Sequence, residues 1–281
     1  MSGGHVYLVT VDEHGYQVHG RRRGTHALYR ELLAGPRDFV ADVENCGWGN
    51  ATWWNGVVLR DERQRLLLVH LAEDPPLPRG DLLEVRAWLA MVAERWPGWS
   101  VRWAARGLRE ALDHLRLPYD TLSDLEGNSR PLSAGWADSP TEDDDLGWVA
   151  PTLVAVREHG ERTAPWFAGC WNPGLEQVLL AGPDVVLAER HRGQKSAVLE
   201  AVPWSGICVD VPRRRLDWWS LECAIEVEAV NARWPGWTLT DHNDRFEDVT
   251  PLAGPELLID AGTQADAAHR VHAALLSGPR R

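Results

Sequence analysis

The apolar positions change period several times along the chain, and each change marks an element. Val6 to Val11 is a β-rich run that predicts a strand, Glu13-His14-Gly15 has the polar, glycine-bearing composition of a hairpin turn, and Tyr16 to Gly20 is the returning strand. Thr25 is placed to cap a helix over His26 to Ala34, closed by Gly35 with Pro36 beyond it. Val57 to Arg60 and Leu66 to His70 flank Asp61-Glu62-Arg63-Gln64 as a second hairpin, to which Ile207 to Val211 is a less clear counterpart.

The strongest helical pattern precedes a Pro-Gly corner in each half. Leu82, Val85, Leu89, Val92 and Trp96 recur at steps of 3 and 4, which puts them on one helix face. Leu216, Trp219, Cys223, Val227, Val230 and Trp234 follow the same rule and predict a matching helix in the second half, with Glu226 and Glu228 off the stripe. Pro97 cannot continue the first helix, so the corner delivers Trp99 into a short strand, Ser100 to Ala104. Further helices are expected over Gly107 to Leu115 and Gln264 to Leu276.

Four segments recur in the same order. Leu8 to Gly15 matches Leu153 to Gly160, Leu32 to Pro36 matches Leu179 to Pro183, Trp54 to Val57 pairs with Trp204 to Ile207, and Arg95-Trp96-Pro97-Gly98-Trp99 returns as Arg233-Trp234-Pro235-Gly236-Trp237. The offsets are 145, 147, 150 and 138 residues, a drift of loop size. The pattern predicts an α+β fold made by internal tandem duplication of one α+β unit (β-hairpins plus amphipathic helices), arranged as a pseudo-two-fold dimer. The expected boundaries are residues 1–117 for the first repeat, 118–150 for an acidic linker and 151–281 for the second repeat with the C-terminal helix.

Composition narrows the function classes. The 281 residues are 44% hydrophobic and 25% charged, ordinary for a globular chain. No apolar run approaches the roughly 18 residues of a membrane span, and Met1 to His5 lacks a secretory signal, so the expected location is cytoplasmic, with no membrane partner. A single lysine, Lys195, leaves 29 − 1 = 28 arginines, and 16 tryptophans accompany only 3 phenylalanines. Arg and Trp have GC-rich codons whereas Lys and Phe do not, which points to a high-GC, bacterial genome; it does not explain tryptophans at matched positions. The net charge of −12 argues against nucleic acid. Pro118 to Ala150 holds eight acids against Arg130 alone, a local net of −7.

The chemistry-bearing residues each have a structural reading beside the functional one. Glu13-His14 and Glu158-His159 resemble a base with its orienter, but neighbours in a strand or turn point apart. Gly20-Arg21-Arg22-Arg23-Gly24 reads as an exposed turn with some capacity for an anion, and Asp241-His242-Asn243-Asp244 as a polar loop. Cys46, Cys170, Cys208 and Cys223 have no metal-binding spacing and read as small buried hydrophobes; Cys46 as a nucleophile would need a histidine that cannot be assigned. No catalytic residue, metal or cofactor is expected. The candidate binding residues are Trp53, Trp54, Trp204, Trp218 and Trp219, suited to stacking if exposed and to the core if buried, with Glu84 and Glu222 as a matched acid pair across the repeats. These features favour a non-catalytic binding protein, an acidic inhibitor of immunity type that neutralises a basic, toxin-like protein. The alternative is an enzyme or small-molecule-binding protein of specialised metabolism whose Trp-lined pocket takes an aromatic ligand.

Overall fold

The computed structural model describes residues 5–22, 25–36, 44–45, 47–49, 54–71, 77–122, 152–158, 161–162, 166–168, 174–188, 197–223, 225–254 and 257–276. Its contacts divide the chain into two units, Met1–Gly127 with Gly262–Arg281, and Asn128–Ala261. The fold is mixed α+β, with two mixed sheets and eight α-helices among the described residues.

In unit 1, β1 (His5–Asp12) and β2 (Gly15–Arg22) form a hairpin in which Asp12 faces Gly15 across a two-residue link. Gly15 takes φ 134, and the His14 N–H donates to Asp12 Oδ1 at 2.7 Å, so Glu13-His14 is a turn as its composition suggests. Helix α1 (Thr25–Glu31) and a 3₁₀ turn over Leu32–Ala34 lead towards β4 (Trp54–Asp61), which lies parallel to β1. β5 (Leu66–Leu71) returns antiparallel to β4, helix α2 (Leu82–Arg95) crosses over, and β6 (Ser100–Trp103) runs parallel to β5. With β3 (Glu44–Asn45) on the outside, the strand order is β3-β2-β1-β4-β5-β6.

All six residues of β5 are buried, which requires cover on both faces of the sheet and explains a run of Leu-Leu-Leu-Val-His-Leu in place of alternation. One face, with Val9, Val57, Leu59 and Leu68, packs against Leu108, Ala111 and Leu112 of helix α3 (Leu108–Leu115). Helix α2 starts at Asp81, whose carboxylate caps Glu84 N–H at 2.8 Å, and stops at Trp96 ahead of Pro97. Trp96 is fully buried, and its Nε1–H donates to Leu32 O at 2.7 Å. The 3₁₀ turn comes so close to the end of α2 that a Cβ on Gly35, at φ 89, would stand 2.8 Å from Arg95 O.

Unit 2 begins with β7 (Thr152–Glu158), which pairs antiparallel with β8 (Glu161–Arg162) and β9 (Trp166–Ala168). Helices α4 (Gly174–Ala181) and α5 (Pro183–Ala188) precede β10 (Ala197–Leu199) and β11 (Ser205–Asp210); β11 is parallel to β7. β12 (Arg215–Ser220) is antiparallel to β11, helix α6 (Val227–Arg233) crosses over, and β13 (Thr238–Asp241) is parallel to β12. The strand order is β13-β12-β11-β7-β8. Helix α7 (Phe246–Ala253) follows, then β14 (Leu257–Ile259), which pairs with β10 as a separate two-stranded sheet. Trp234 is fully buried at the end of α6, with its Nε1–H donating to Leu179 O at 2.7 Å.

Two expectations are corrected here. The long helix expected from Leu216 to Trp234 is a strand and a short helix: Leu216, Trp218 and Trp219 lie on β12, and α6 starts only at Val227. β12 is hydrogen-bonded on both sides and buried on both faces, so Leu216 and Trp218 face one core while Trp219 faces the other way. That double burial breaks the period of 2 and imitates steps of 3 and 4. Helix α8 (Gln264–Leu276), expected with the second repeat, lies against α1 and α2 in unit 1. Its apolar stripe of Ala267, Val271 and Leu275 fits either location equally well on pattern alone. Among the described residues no helix is long and apolar enough to cross a membrane.

Candidate functional site

The sequence-nominated tryptophans separate by face and by depth. Trp218, 2% exposed, sits in the core that α4 and α6 build on the sheet of unit 2, alongside Trp234. Its neighbour Trp219, 1% exposed, projects to the opposite face, as strand geometry demands. There its ring lies over Gly206, where a Cβ would come within 2.0 Å of it, and its Nε1–H donates to Pro203 O at 3.1 Å. Trp204 is buried close by, its carbonyl accepting from Leu221 N–H at 2.8 Å. Stacking of the Trp218 or Trp219 ring on a ligand would need the elements that cover the sheet to part. Trp54 opens β4, and Trp53 lies outside the described residues.

Glu84 is 0% exposed, so it is not on a solvated helix face. Its Oε2 accepts from the N–H groups of Arg79 (2.8 Å) and Gly80 (3.1 Å), and its Oε1 from Arg270 Nε of α8 at 2.7 Å. Glu222 lies in unit 2 just past β12, with its N–H bonded to Ser220 Oγ at 2.8 Å and its carbonyl accepting from the same hydroxyl at 2.6 Å. The two glutamates are held by unlike partners.

Two histidine–carboxylate couples emerge that no local motif reveals. In unit 1, His114 Nε2 on α3 meets Asp61 Oδ2 at 2.8 Å, and Asp61 Oδ1 caps the hairpin turn by accepting from Arg63 and Gln64 N–H. In unit 2, His242 Nε2 meets Asp217 Oδ1 at 2.8 Å, and Arg215 reaches the same oxygen at 2.6 Å. The other ring nitrogen of His242 is 3.7 Å from Asp248 Oδ2 on α7, so the imidazole stands between two carboxylates. The couples span 53 and 25 residues of sequence, too far for spacing to announce them. The polar loop at Asp241 to Asp244 thus carries a buried histidine at its centre.

The Asp61 carboxyl is pushed up by burial, but the His114 hydrogen bond, the Gln64 and Arg63 N–H groups and the Arg63 charge outweigh that and leave it below its ordinary 3.8. A carboxyl lowered on folding adds stability above its unfolded value and loses it as pH falls through the folded one. Asp61→Asn is therefore expected to lower the urea midpoint at pH 7, and to lower it progressively less as the pH falls below the ordinary 3.8 through the folded value. A midpoint difference that stays constant as the pH is lowered would refute the coupling.

Cys208 faces Asp217 across the β11–β12 pair, an arrangement that invites a catalytic reading. Burial first, then the Asp217 and Asp210 charges, pushes its thiol up to about 12, so it stays protonated and unreactive near neutrality. Cys223 is likewise pushed up to about 12 by burial. Cys46 and Cys170 lie outside the described residues. Gly20 to Arg22 belong to β2, where Arg21 pairs with Glu31 at 2.8 Å, which corrects the expected exposed turn there; Arg23 and Gly24 lie outside the described residues. Among the described residues no group of three or more His, Cys, Asp or Glu is gathered as for a metal ion. No protein family, curated protein or solved structure matches this chain.

Proposed function

We propose that this chain is a non-catalytic, cytoplasmic binding protein, an acidic inhibitor of immunity type that neutralises a basic protein partner. The observation that carries the reading is the charge: −12 overall, with −7 concentrated between Pro118 and Ala150. Such a run attracts a basic partner and steers its approach. The interior of the two units is consistent with this division of labour. The carboxylates of Glu84, Asp61 and Asp217 are committed to internal arginine, histidine or backbone groups, and Trp204, Trp218 and Trp219 support the sheet of unit 2.

The test replaces Glu142, Asp143, Asp144 and Asp145 by their amides and measures binding of a poly-arginine peptide to the full chain. The expected result is affinity that falls with salt, and a loss of roughly tenfold or more in low salt on neutralisation. Unchanged affinity in low salt would show that the segment is a tether.

We also infer that the two units descend from one duplicated module. Both sheets follow the same path, a hairpin, a helical crossover to a parallel strand, a second hairpin and a second crossover. Equivalent contacts support the pairing: Trp96 to Leu32 O and Trp234 to Leu179 O, both at 2.7 Å, and Gly35 and Gly182 each against the last arginine of a helix. Arg65 and Arg214 both take positive φ at their hairpin turns, 50 and 47. The strands add a refinement. Asp61 faces Leu66 and Asp210 faces Arg215, so Val57 corresponds to Gly206 by position, one residue away from its sequence match to Ile207. Val11 pairs with Asp61 and Arg157 with Asp210, which displaces the Leu8 match by one residue as well. A one-residue displacement reverses the faces, so strand matches in a doubly buried sheet align by composition rather than by side.

A further inference from the structure

We propose that α8 is a clasp: a self-capped helix whose docking on α1 and α2 is locked by one buried ion pair, and whose release is the first opening of unit 1. Three observations converge on it. The helix carries its own start signal, because Thr263 N–H donates to Asp266 Oδ2 at 2.8 Å while Asp266 N–H donates to Thr263 Oγ1 at 3.2 Å. Reciprocal bonds of this kind hold a helical turn together without tertiary help. Among the described side chains, Ala267, Val271 and Leu275 are its buried apolar residues, and Gln264 Nε2 donates to Leu83 O at 3.0 Å. The apolar stripe supplies the non-directional part of the docking, and the polar lock fixes its register.

The lock is Arg270. Its Nε lies 2.7 Å from Glu84 Oε1, and its far nitrogen is 4.0 Å from Asp81 Oδ2. Glu84 and Asp81 are 0% and 2% exposed, and the Arg270 guanidinium faces them both. While α8 is docked, removing that cation leaves a carboxylate buried without its counter-charge, which is strongly unfavourable. When α8 detaches, both carboxylates meet water and the penalty disappears. Opening at α8 separates an ion pair and one apolar helix stripe while every strand stays paired, and is therefore less costly than opening between the strands, where every separation exposes continuous apolar surface. The clasp also completes the first unit late, since residues 262–276 are synthesised after all of unit 2.

Hydrogen exchange of the full chain tests the proposal. In the unaltered protein the amides of Gln264–Leu276 are expected to exchange before those of β4 and β5. Arg270→Met should speed exchange across α8 and α2 by roughly 10²-fold or more, while β11 and β12 keep their protection. Arg270→Lys should recover part of the loss, and Arg270→Met combined with Glu84→Gln a larger part of it, because Glu84, the carboxylate in direct contact with the guanidinium, is then neutral. Equal protection of α8, β4 and β5 in the unaltered protein would overturn the clasp. So would Arg270→Met with α2 and α8 unchanged, or with protection lost to the same extent in β11 and β12.

Discussion

Trp234→Ala is expected to destabilise unit 2 by about 3–5 kcal/mol, the range for truncating a large buried aromatic residue. The ring is fully buried among Val154, Ile207, Leu216 and Val230, so its removal leaves a cavity that the strands beneath cannot fill without losing register. It also strands the Leu179 carbonyl, whose 2.7 Å hydrogen bond from Nε1 fastens α4 to the end of α6. Trp237 loses its edge-on contact with that ring, now at 5.0 Å and 81°. Trp234→Phe separates these effects: it keeps much of the volume and drops the donor, so a smaller loss of about 1–3 kcal/mol is expected. Trp96→Ala should act alike in unit 1, where Nε1 holds Leu32 O and Trp99 packs at 5.1 Å and 85°. Urea unfolding followed by amide exchange in β12 and β5 measures each loss in its own unit. A cost below 1 kcal/mol for either alanine variant would contradict the anchoring role assigned to these rings.

The second large effect is expected at Asp217. Its carboxylate is 1% exposed and accepts from both Arg215 and His242, joining β12 to the loop ahead of α7. Asp217→Ala leaves the His242 ring buried and without its strand partner. The range for breaking a buried pair is about 3–5 kcal/mol, and the Arg215 side chain is 42% exposed and can turn to water, so about 2–3 kcal/mol is expected. A double-mutant cycle with His242→Phe isolates the coupling. The double variant should be more stable than the sum of the single losses implies, because a phenyl ring needs no carboxylate. Strict additivity would mean that Asp217 and His242 act independently and that the couple does not tie the sheet to the segment ahead of α7.

The two halves were not equally readable. Leu82, Val85, Leu89, Val92 and Trp96 announced α2, and Leu82, Val85, Val92 and Trp96 are buried without exposure. The same reading failed over Leu216 to Trp234, since β12 is flanked by strands on both sides and covered on both faces. Sequence spacing cannot distinguish such a strand from a helix stripe when large residues fall at 216, 218 and 219. Glu84 illustrates the other limit. Its exposure is set by a helix about 180 residues further on, and nothing near it forecasts Arg270.

What the amino-acid order determined alone is local: hairpin turns at Glu13-His14 and after Asp61, the Pro-Gly corners that stop α2 and α6, and the extent of α8. These follow from backbone restrictions and short-range hydrogen bonds, which need no distant partner. Tertiary structure alone decided which sheet faces Trp218 and Trp219 occupy, which helix α8 docks on, and which carboxylates meet His114, His242 and Arg270. Those outcomes depend on the burial and pairing of side chains far apart in sequence, and such couplings leave no periodic trace along the chain.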